Sequence, residues 1–221
     1  MKLSANTIQV LKNFSLINQS ILFRKGNVIS TMSPNKEILA RATVAEQFET
    51  QFAIYDLVRL LGVLSLFEEP ELEFDSNCLQ IKKDKHSVSF FYADPTHIVA
   101  PPEKDLVLKD PKISFDMTNQ TYSAIMKALH VMQLPSIAVV GNRETIKLVA
   151  MDAEKKMNNN KYEIEVGQTE HDFRMVFKGE HMKLIPGNYN VTISSAGISH
   201  FKGDIAQYWI AFNSKQSSFT K

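Results

Sequence analysis

The side chains that could perform chemistry are few in this sequence, and their spacing forms no recognisable site. The six histidines are scattered and lack the spacing that a metal ion requires of its ligands. The single cysteine, Cys78, has no neighbouring histidine that would stabilise a thiolate. The acid pairs Glu68–Glu69 and Glu71/Glu73 could act as general acid and base, but a segment so rich in charge is typical of a solvated surface.

Catalytic and cofactor-binding motifs are also missing from the sequence. There is no glycine-rich phosphate loop, no dinucleotide-binding fingerprint, no nucleophile elbow and no zinc motif. We therefore predict a protein that is not an enzyme and that uses no cofactor and no metal. A hydrolase whose site carries no known motif stays open as an alternative.

The distribution of charge, in contrast, has a clear pattern. The 221 residues carry 25 Lys and Arg against 24 Asp and Glu, a balance that argues against coating nucleic acid by bulk positive charge. Residues 1–36 and 117–143 nevertheless contain no acid, whereas residues 37–75 contain nine acids and two arginines. Such blocks are either solvated faces or surfaces for a charged partner, and the sequence leaves both readings open.

Four stretches have the apolar spacing of amphipathic helices. The first three stripes are Val10, Phe14, Ile17 and Ile21; Leu57, Leu60, Leu61 and Leu64; and Tyr122, Ile125, Met126 and Leu129. The fourth stretch is short and covers residues 177–187. Basic residues lie away from the apolar positions in each stretch: Lys12, Arg59, Lys127, Lys178 and Lys183. Because lysine on a solvated helix face is common, only its repetition along the chain suggests a shared surface.

The order of the predicted elements repeats in the two halves of the chain. Each half opens with a helix, an apolar strand and a Gly-Asn turn, at Gly26–Asn27 and at Gly141–Asn142. Alternating apolar residues later in each half predict antiparallel strands. We therefore predict an α+β protein of two similar domains, each with two helices packed on antiparallel sheet.

Prolines mark the boundary between the halves, because proline fixes extended geometry and cannot donate a ladder hydrogen bond. We predict an amino-terminal domain over 1–93, an interdomain linker over 94–111 and a carboxy-terminal domain over 112–221. The linker prolines are Pro95, Pro101, Pro102 and Pro111.

The sequence also indicates a compartment. No apolar run approaches the roughly 20 residues of a membrane span. The opening residues lack a secretory signal pattern, and a lone cysteine fits a reducing cytosol. We therefore expect a cytoplasmic protein without a membrane partner.

Short motifs in a fixed order give the chain a family resemblance. They are Met1-Lys2-Leu3-Ser4, Leu11-Lys12-Asn13-Phe14 with Ile17-Asn18, Phe52-Ala53-Ile54-Tyr55-Asp56-Leu57, Leu61-Gly62, Leu64-Ser65-Leu66, Ala93-Asp94-Pro95, Val99-Ala100-Pro101, Met182-Lys183 and Pro186-Gly187-Asn188-Tyr189. With these motifs the sequence resembles the sliding clamp of T4-type bacteriophages, the processivity factor of the phage DNA polymerase. The resemblance spans nearly the whole chain, although residues 66–92 and 140–170 diverge.

The resemblance implies a DNA-clamp fold, in which two like domains per subunit assemble into a homotrimeric ring with helices inside and sheets outside. The basic helix faces would then contact double-stranded DNA without reading its sequence. The implied partners also include an ATP-dependent clamp loader and the phage polymerase, and the location is the cytoplasm of the infected bacterial host. The predicted DNA-binding residues are Lys2, Lys12, Arg24, Arg59, Lys127, Lys178 and Lys183.

Partners in that family insert short peptides, such as the carboxy-terminal peptide of the polymerase, into an apolar pocket near the interdomain linker. Apolar linker residues that we expect to be exposed, and strand residues that share one face by their period of two, are candidates for such a pocket. These candidates are Ile98, Val99, Pro101, Tyr208, Ile210 and Phe212. The same residues could instead hold the two domains together.

A second function class stays open at this point. Duplicated β-rich domains also build viral structural or interaction subunits that have no DNA-encircling activity. Basic-faced helices in both halves favour the clamp. A clamp is retained on circular DNA and slides off linear ends, whereas a structural subunit does not distinguish the two.

Overall fold

The chain divides into a first unit, residues 1–104, and a second unit, residues 105–221. The computed structural model describes residues 1–104, 106–155 and 159–220. Each unit combines α-helix with antiparallel sheet, which confirms the α+β prediction.

The first unit begins with a helix, and its last three strands form a meander in the order β5-β6-β7. Strand β2 pairs antiparallel with β3, and the short β1 pairs with β4. The elements are α1 (Ala5–Ile17), β1 (Ile21–Phe23), β2 (Gly26–Met32), β3 (Ile38–Phe48), β4 (Phe52–Ile54), α2 (Leu57–Leu64), β5 (Glu71–Phe74), β6 (Cys78–Lys83) and β7 (His86–Phe91).

Among its described residues, the second unit contains one α-helix and two groups of hydrogen-bonded strands. One group is a sheet with the strand order β11-β10-β9-β12-β16. In the other group the hydrogen-bonded order is β8-β13-β14-β15. The elements are β8 (Pro111–Met117), α3 (Asn119–Met132), β9 (Ser136–Asn142), β10 (Thr145–Met151), β11 (Tyr162–Gln168), β12 (Asp172–Lys178), β13 (Tyr189–Ser194), β14 (Ile198–Gly203), β15 (Gln207–Ala211) and β16 (Ser218–Thr220).

The start of α1 is fixed by a carboxylate on β3. The Ser4 hydroxyl accepts a hydrogen bond from the Thr7 N–H at 3.2 Å, as expected of an N-cap residue. The buried Glu46 carboxylate accepts hydrogen bonds from the Ser4 N–H and from the Thr7 hydroxyl. Burial opposes ionisation of Glu46, but the hydrogen bonds from Thr7 and Ser4 outweigh it and lower its pKa. The negative charge also suits the positive end of the helix dipole.

Replacing Glu46 by Gln should lower the free energy of unfolding by about 1–3 kcal/mol at neutral pH, because two charge-assisted hydrogen bonds are weakened. A carboxylate whose pKa is lowered by folding stabilises the fold above its unfolded pKa, and this contribution disappears as the pH falls through the folded pKa. The difference between wild type and Glu46→Gln should therefore shrink below about pH 4. Chemical denaturation between neutral and acidic pH measures it.

The exposed Glu49 supplies the matched control for this measurement. Glu49→Gln removes the same charge, and we expect a change of less than about 0.5 kcal/mol. Equal effects of the two substitutions, or a Glu46→Gln effect that does not vary with pH, would contradict the capping role.

The apolar stripes predicted for the first three helices lie largely in the core. Val10, Phe14 and Ile17 are buried on α1, and the stripes of α2 and α3 are buried except for the half-exposed Leu61 and Met126. Ile21 belongs to β1 instead, because the helix ends at Asn18, whose backbone is extended.

The fourth predicted helix is wrong. Strand β12 continues to Lys178, and only one 3₁₀ turn, Gly179–His181, follows. The next segment is held by tyrosine side chains: the Tyr122 hydroxyl donates to the Met182 carbonyl at 2.8 Å, and the Ile185 N–H donates to the Tyr208 hydroxyl at 3.1 Å. Pro186 has no N–H to continue a helix. The prediction of two helices in each domain therefore fails in the second unit among the residues described.

Neither Gly-Asn turn lies where it was predicted. Gly26 and Asn27 are the first residues of β2, and the second turn lies slightly later than Gly141–Asn142. Gly141 is inside β9, and Arg143, with a φ of 70°, forms the turn to β10 together with Glu144. Glycine is required at 141 for a different reason, because the Phe173 ring occupies the space where a Cβ atom would lie.

Candidate nucleic-acid interface

Helix α1 exposes a face that carries one basic residue and no acid. Lys12 is exposed, with the exposed Ala5 and Gln9 at earlier positions of the same helix face. The opposite face is anchored in the core by Leu11 and Phe14. The helix therefore presents Lys12 to solvent on a rigid element.

Helix α3 repeats this arrangement in the second unit. Its N-cap Thr118 accepts a hydrogen bond from the Thr121 N–H at 3.1 Å, which fixes where the helix starts. Lys127 is exposed, with Ser123 and His130 on the same side, and no residue of the helix is acidic. Each unit thus carries one long helix with an acid-free exposed face and a lysine near its middle.

Helix α2 contributes a further basic residue to the first unit. The Asp56 carboxylate caps this helix by accepting from the Arg59 N–H at 2.9 Å. The Arg59 side chain is exposed, and Leu57 and Leu60 are buried. The helix starts beside the end of α1, since the Leu57 N–H donates to the Gln19 carbonyl at 2.8 Å.

A cleft of about 590 Å³ lies between α1, α2 and the start of β5. Lys12 lines it together with the apolar Ile8 and Leu61. Lys2 is near the same cleft, because it forms an ion pair with the lining residue Glu69, with 3.5 Å between nitrogen and oxygen. Lys2 therefore lies beside a lining residue of the cleft that also contains Lys12, and part of its charge is balanced by Glu69.

The second unit has a cleft of about 740 Å³ at the end of α3. Lys178, the last residue of β12, lines it beside Met126 and His130, the neighbours of Lys127 in sequence and on the helix. Lys183 lies after the 3₁₀ turn and is half-buried. Both lysines were predicted on a fourth helix. Lys178 instead lies at the end of β12, beside α3.

Arg24 has a different environment from the other predicted cations. Its guanidinium donates to the Pro101 carbonyl at 2.9 Å and lies 3.5 Å from the Glu103 carboxylate. Arg41, which the sequence reasoning missed, donates to the Pro102 carbonyl at 2.9 Å. Burial, and secondarily the charge of Arg24, lower the pKa of Arg41. The two arginines therefore hold the linker against the first unit.

The expectation that the apolar linker residues are exposed is wrong for two of them. Ile98 is buried against Leu22 and Ala53, and Pro101 is also buried. Val99, in contrast, is 37% exposed. The sequence signal for the role of Arg41 is its position inside the apolar stretch ILARATV. A guanidinium that is buried there requires a hydrogen-bond partner.

The predicted strand residues of the peptide pocket lie in the interior of the fold. Tyr208 and Ile210 are fully buried and Phe212 is 9% exposed. Burial, together with the neighbouring Tyr122, raises the pKa of Tyr208, although its bond to the Ile185 N–H acts in the opposite direction. A ligand can touch Tyr208 or Ile210 only if the surrounding chain moves.

The comparisons with known proteins agree with these features. A family model described as DNA polymerase processivity factor matches residues 3–99, and one described as gp45 sliding clamp, C terminal, matches residues 114–214. The sliding clamp of Vibrio phage KVP40 is 32% identical over 221 residues, which cover 96% of this chain and 98% of that protein. The chain belongs to the sliding-clamp family. The sliding clamp of Enterobacteria phage T4 is 26% identical over 96% of each chain.

Solved structures place this clamp in a fold that is shared beyond phages. The PCNA2–PCNA3 complex of Sulfolobus tokodaii matches with a TM-score of 0.70 and 12% identity over 97% of this chain and 100% of that one. Proliferating cellular nuclear antigen of Entamoeba histolytica matches with a TM-score of 0.69 and 14% identity over 96% and 97%. The DNA-clamp fold predicted from the family resemblance is therefore confirmed.

Family membership also decides between the functions left open by the sequence. Sliding clamps are accessory factors of DNA polymerase rather than catalysts, and nothing in these comparisons supports a viral structural subunit or a hydrolase. In the part of the chain that the structure describes, no helix has the length and hydropathy needed to cross a bilayer.

Proposed function

We propose that this clamp encircles double-stranded DNA without sequence specificity and tethers the replicative polymerase of its phage. The observation that carries the proposal is the pair of long helices, α1 and α3, whose exposed faces contain a lysine and no acid. In a ring with its helices inside, these faces line the opening. The polyanion that fits such an opening is duplex DNA, with one phosphate charge per about 1.7 Å of axis.

The charge of this lining is modest, and that suits a sliding protein. Lys12, Arg59 and Lys127 provide three exposed helical cations in each subunit and hence nine in a trimer. Contacts to phosphates position a protein on DNA but do not read sequence. Since each phosphate contact adds to the electrostatic binding free energy, a small number lets the ring stay mobile while its closed topology prevents dissociation.

A closed ring requires a head-to-tail contact between subunits, repeated with a rotation that brings the last subunit back to the first. Exposed sheet edges are suited to form such a contact. In the first unit the edge of β5 is covered, because the Met1 ammonium donates to the Leu72 carbonyl and the Leu72 N–H donates to the Met1 carbonyl. Strand β7 is the other edge, and its Phe91 is 68% exposed. In the second unit β11 is an edge strand of similar length. We assign the subunit contact to pairing of β7 with β11 of the next copy.

The mass of the particle in solution tests the ring directly. The subunit has a mass of 25.1 kDa, so a homotrimer has about 75 kDa. Sedimentation over a range of concentrations should give this mass and a smaller species on dilution, since assembly follows mass action. A monomer at every concentration would overturn the proposal.

The polymerase peptide binds, in this proposal, at the exposed part of the linker around Val99. A relative of known structure, the proliferating cell nuclear antigen of A. fulgidus, is bound to the C-terminal region of FEN-1. The neighbouring Ile98 and Pro101 are buried, whereas Val99 is accessible.

Replacing Val99 by Asp should weaken binding of the polymerase carboxy-terminal peptide at least tenfold, because a carboxylate would face the apolar side chains of the peptide. Fluorescence anisotropy of a labelled peptide measures the affinity, and sedimentation should show an unchanged trimer. Val28→Asp, at a residue that is 41% exposed on β2, is the matched control. Unchanged peptide affinity in Val99→Asp would remove Val99 from the site.

The remaining partners follow from the same function. A closed protein ring cannot thread onto circular DNA by itself, so an ATP-dependent loader must open it. The reaction takes place where the phage genome is copied, in the cytoplasm of the infected bacterium.

A further inference from the structure

The cleft between α1, α2 and the start of β5 is an apolar concavity on the surface of the first unit. Ile8 on α1 and Leu61 on α2 both line it, and both are half-exposed, as are the lining residues Leu3 and Phe67. Leu61 belongs to the apolar stripe of α2, and the other members of that stripe are buried. The volume of about 590 Å³ lies within the range of about 300–1,000 Å³ that is usual for ligand pockets.

One charged side chain of this lining has no ion pair within the described residues. The charged lining residues are Lys12 and Glu69. Glu69 is paired with Lys2 at 3.5 Å, whereas Lys12 lies on a helix without acids and has no such partner. The exposed Glu68 and Glu71 flank the other wall without lining the cleft. Charge complementarity therefore places a ligand carboxylate beside Lys12, on the α1 side.

The same helix also offers a group that can bind a peptide backbone. Gln9 lines the cleft one turn before Lys12, and it is exposed. Its side-chain amide forms no hydrogen bond within residues 1–104, 106–155 and 159–220. Such an amide can accept from a backbone N–H and donate to a backbone carbonyl. An apolar wall, an amide and a cation thus follow one another along α1, which favours a peptide as the ligand.

The cleft at the end of α3 in the second unit does not offer this combination. Asp152, Glu154 and Lys178 bring charges of both signs into its lining, and His130 and Gln133 add further polar groups. A large apolar side chain would desolvate these groups without pairing them. We therefore assign a ligand to the cleft of the first unit alone.

We propose that the cleft between α1 and α2 binds a peptide segment of a protein partner. A large apolar side chain of the segment packs between Ile8 and Leu61, and a neighbouring carboxylate pairs with Lys12. This goes beyond the proposed function, because each subunit gains a second peptide site in addition to the one around Val99. Two sites on one subunit can hold a partner at two points, which raises its effective affinity. All the residues belong to the first unit, so the inference does not depend on the ring.

Three capped peptides that differ at one position test this proposal. They are acetyl-Ala-Phe-Leu-Glu-Ala-amide and the two versions that carry Gln or Lys in place of Glu. Methyl NMR spectra of the clamp, labelled at isoleucine and leucine, report binding at Ile8 and Leu61. The Glu peptide should shift these resonances and bind about threefold more tightly than the Gln peptide, as expected of one exposed ion pair. The Lys peptide should bind most weakly.

Substitutions in the cleft separate the two parts of the site. Lys12→Met should abolish the preference for Glu over Gln, and because Lys12 is exposed the fold should be unaffected. Leu61→Asp should weaken binding of all three peptides at least tenfold, since a carboxylate would then face the apolar side chain. Circular dichroism shows whether this variant is folded. Lys25→Met removes an exposed lysine outside the cleft and should leave the preference intact.

Three results would overturn the proposal. Unshifted methyl resonances of Ile8 and Leu61 at millimolar peptide would exclude the cleft as a binding site. Equal affinities of the three peptides, or an unchanged preference in Lys12→Met, would exclude the ion pair with Lys12. Tighter binding of the Lys peptide would mean that the acids after α2 select the ligand. A monomeric wild type would refute the proposed ring but would leave this test unaffected.

Discussion

Replacing Phe91 by Asp should convert the trimer into monomers at micromolar concentration. Phe91 is 68% exposed at the end of β7, the edge strand that we assign to the subunit contact. Burying such a ring is worth about 2 kcal/mol, and a carboxylate buried in its place adds a desolvation cost. A loss of about 3 kcal/mol for each contact raises the dissociation constant more than a hundredfold.

Sedimentation measures this effect, and the circular dichroism spectrum of the variant shows whether the subunit remains folded. Leu66→Asp is the matched control, since Leu66 is 73% exposed but lies on the loop after α2. The control should remain trimeric. A trimeric Phe91→Asp variant with the affinity of the wild type would exclude β7 from the subunit contact.

Reversing Lys12 and Lys127 together should reduce polymerase processivity at physiological salt at least tenfold without unfolding the subunit. The substitutions Lys12→Glu and Lys127→Glu reverse six charges per trimer on the helix faces that we assign to the DNA. Each lost phosphate contact removes about 0.9 from the slope of log affinity against log salt. Because both side chains are exposed, the free energy of unfolding should change by less than about 0.5 kcal/mol.

A control with the same net charge separates position from bulk electrostatics. Lys25 and Lys202 are exposed outside the helices, and Lys25→Glu/Lys202→Glu should keep most of the processivity. Equal losses in the two double variants would mean that overall charge matters and that Lys12 and Lys127 have no special place. Full processivity of Lys12→Glu/Lys127→Glu would remove both residues from the DNA-facing surface.

The features that could be predicted from the sequence are those set by local periodicity. The stripes of α1, α2 and α3 repeat every three or four residues, and each helix begins at a residue that caps its own backbone: Ser4, Asp56 or Thr118. The basic residues opposite these stripes, Lys12, Arg59 and Lys127, could therefore be predicted together with the helices. The family resemblance supplied the ring, which no pattern in a single chain specifies.

The features that the sequence did not reveal depend on contacts between distant residues. The prediction of a fourth helix failed because the hydroxyls of Tyr122 and Tyr208 form hydrogen bonds with the backbone of Met182 and Ile185. These partners are 60 and 23 residues apart in the sequence. Arg24 was assigned to DNA, yet it holds the linker 77 residues further along the chain. The exposed edge of the β5-β6-β7 sheet likewise depends on a distant contact. Met1 covers the edge of β5, so the edge of β7 is the one that remains exposed.

Retention on circular DNA is the most direct test of an encircling clamp. The protein is loaded with its loader and ATP onto a nicked plasmid, the loader is removed by gel filtration, and half of the sample is cut once by a restriction enzyme. We predict that the clamp remains on the circle for minutes and leaves the linear molecule within seconds, in salt that abolishes ordinary electrostatic binding. Equal retention on both molecules would mean that the protein binds the surface of DNA and does not surround it.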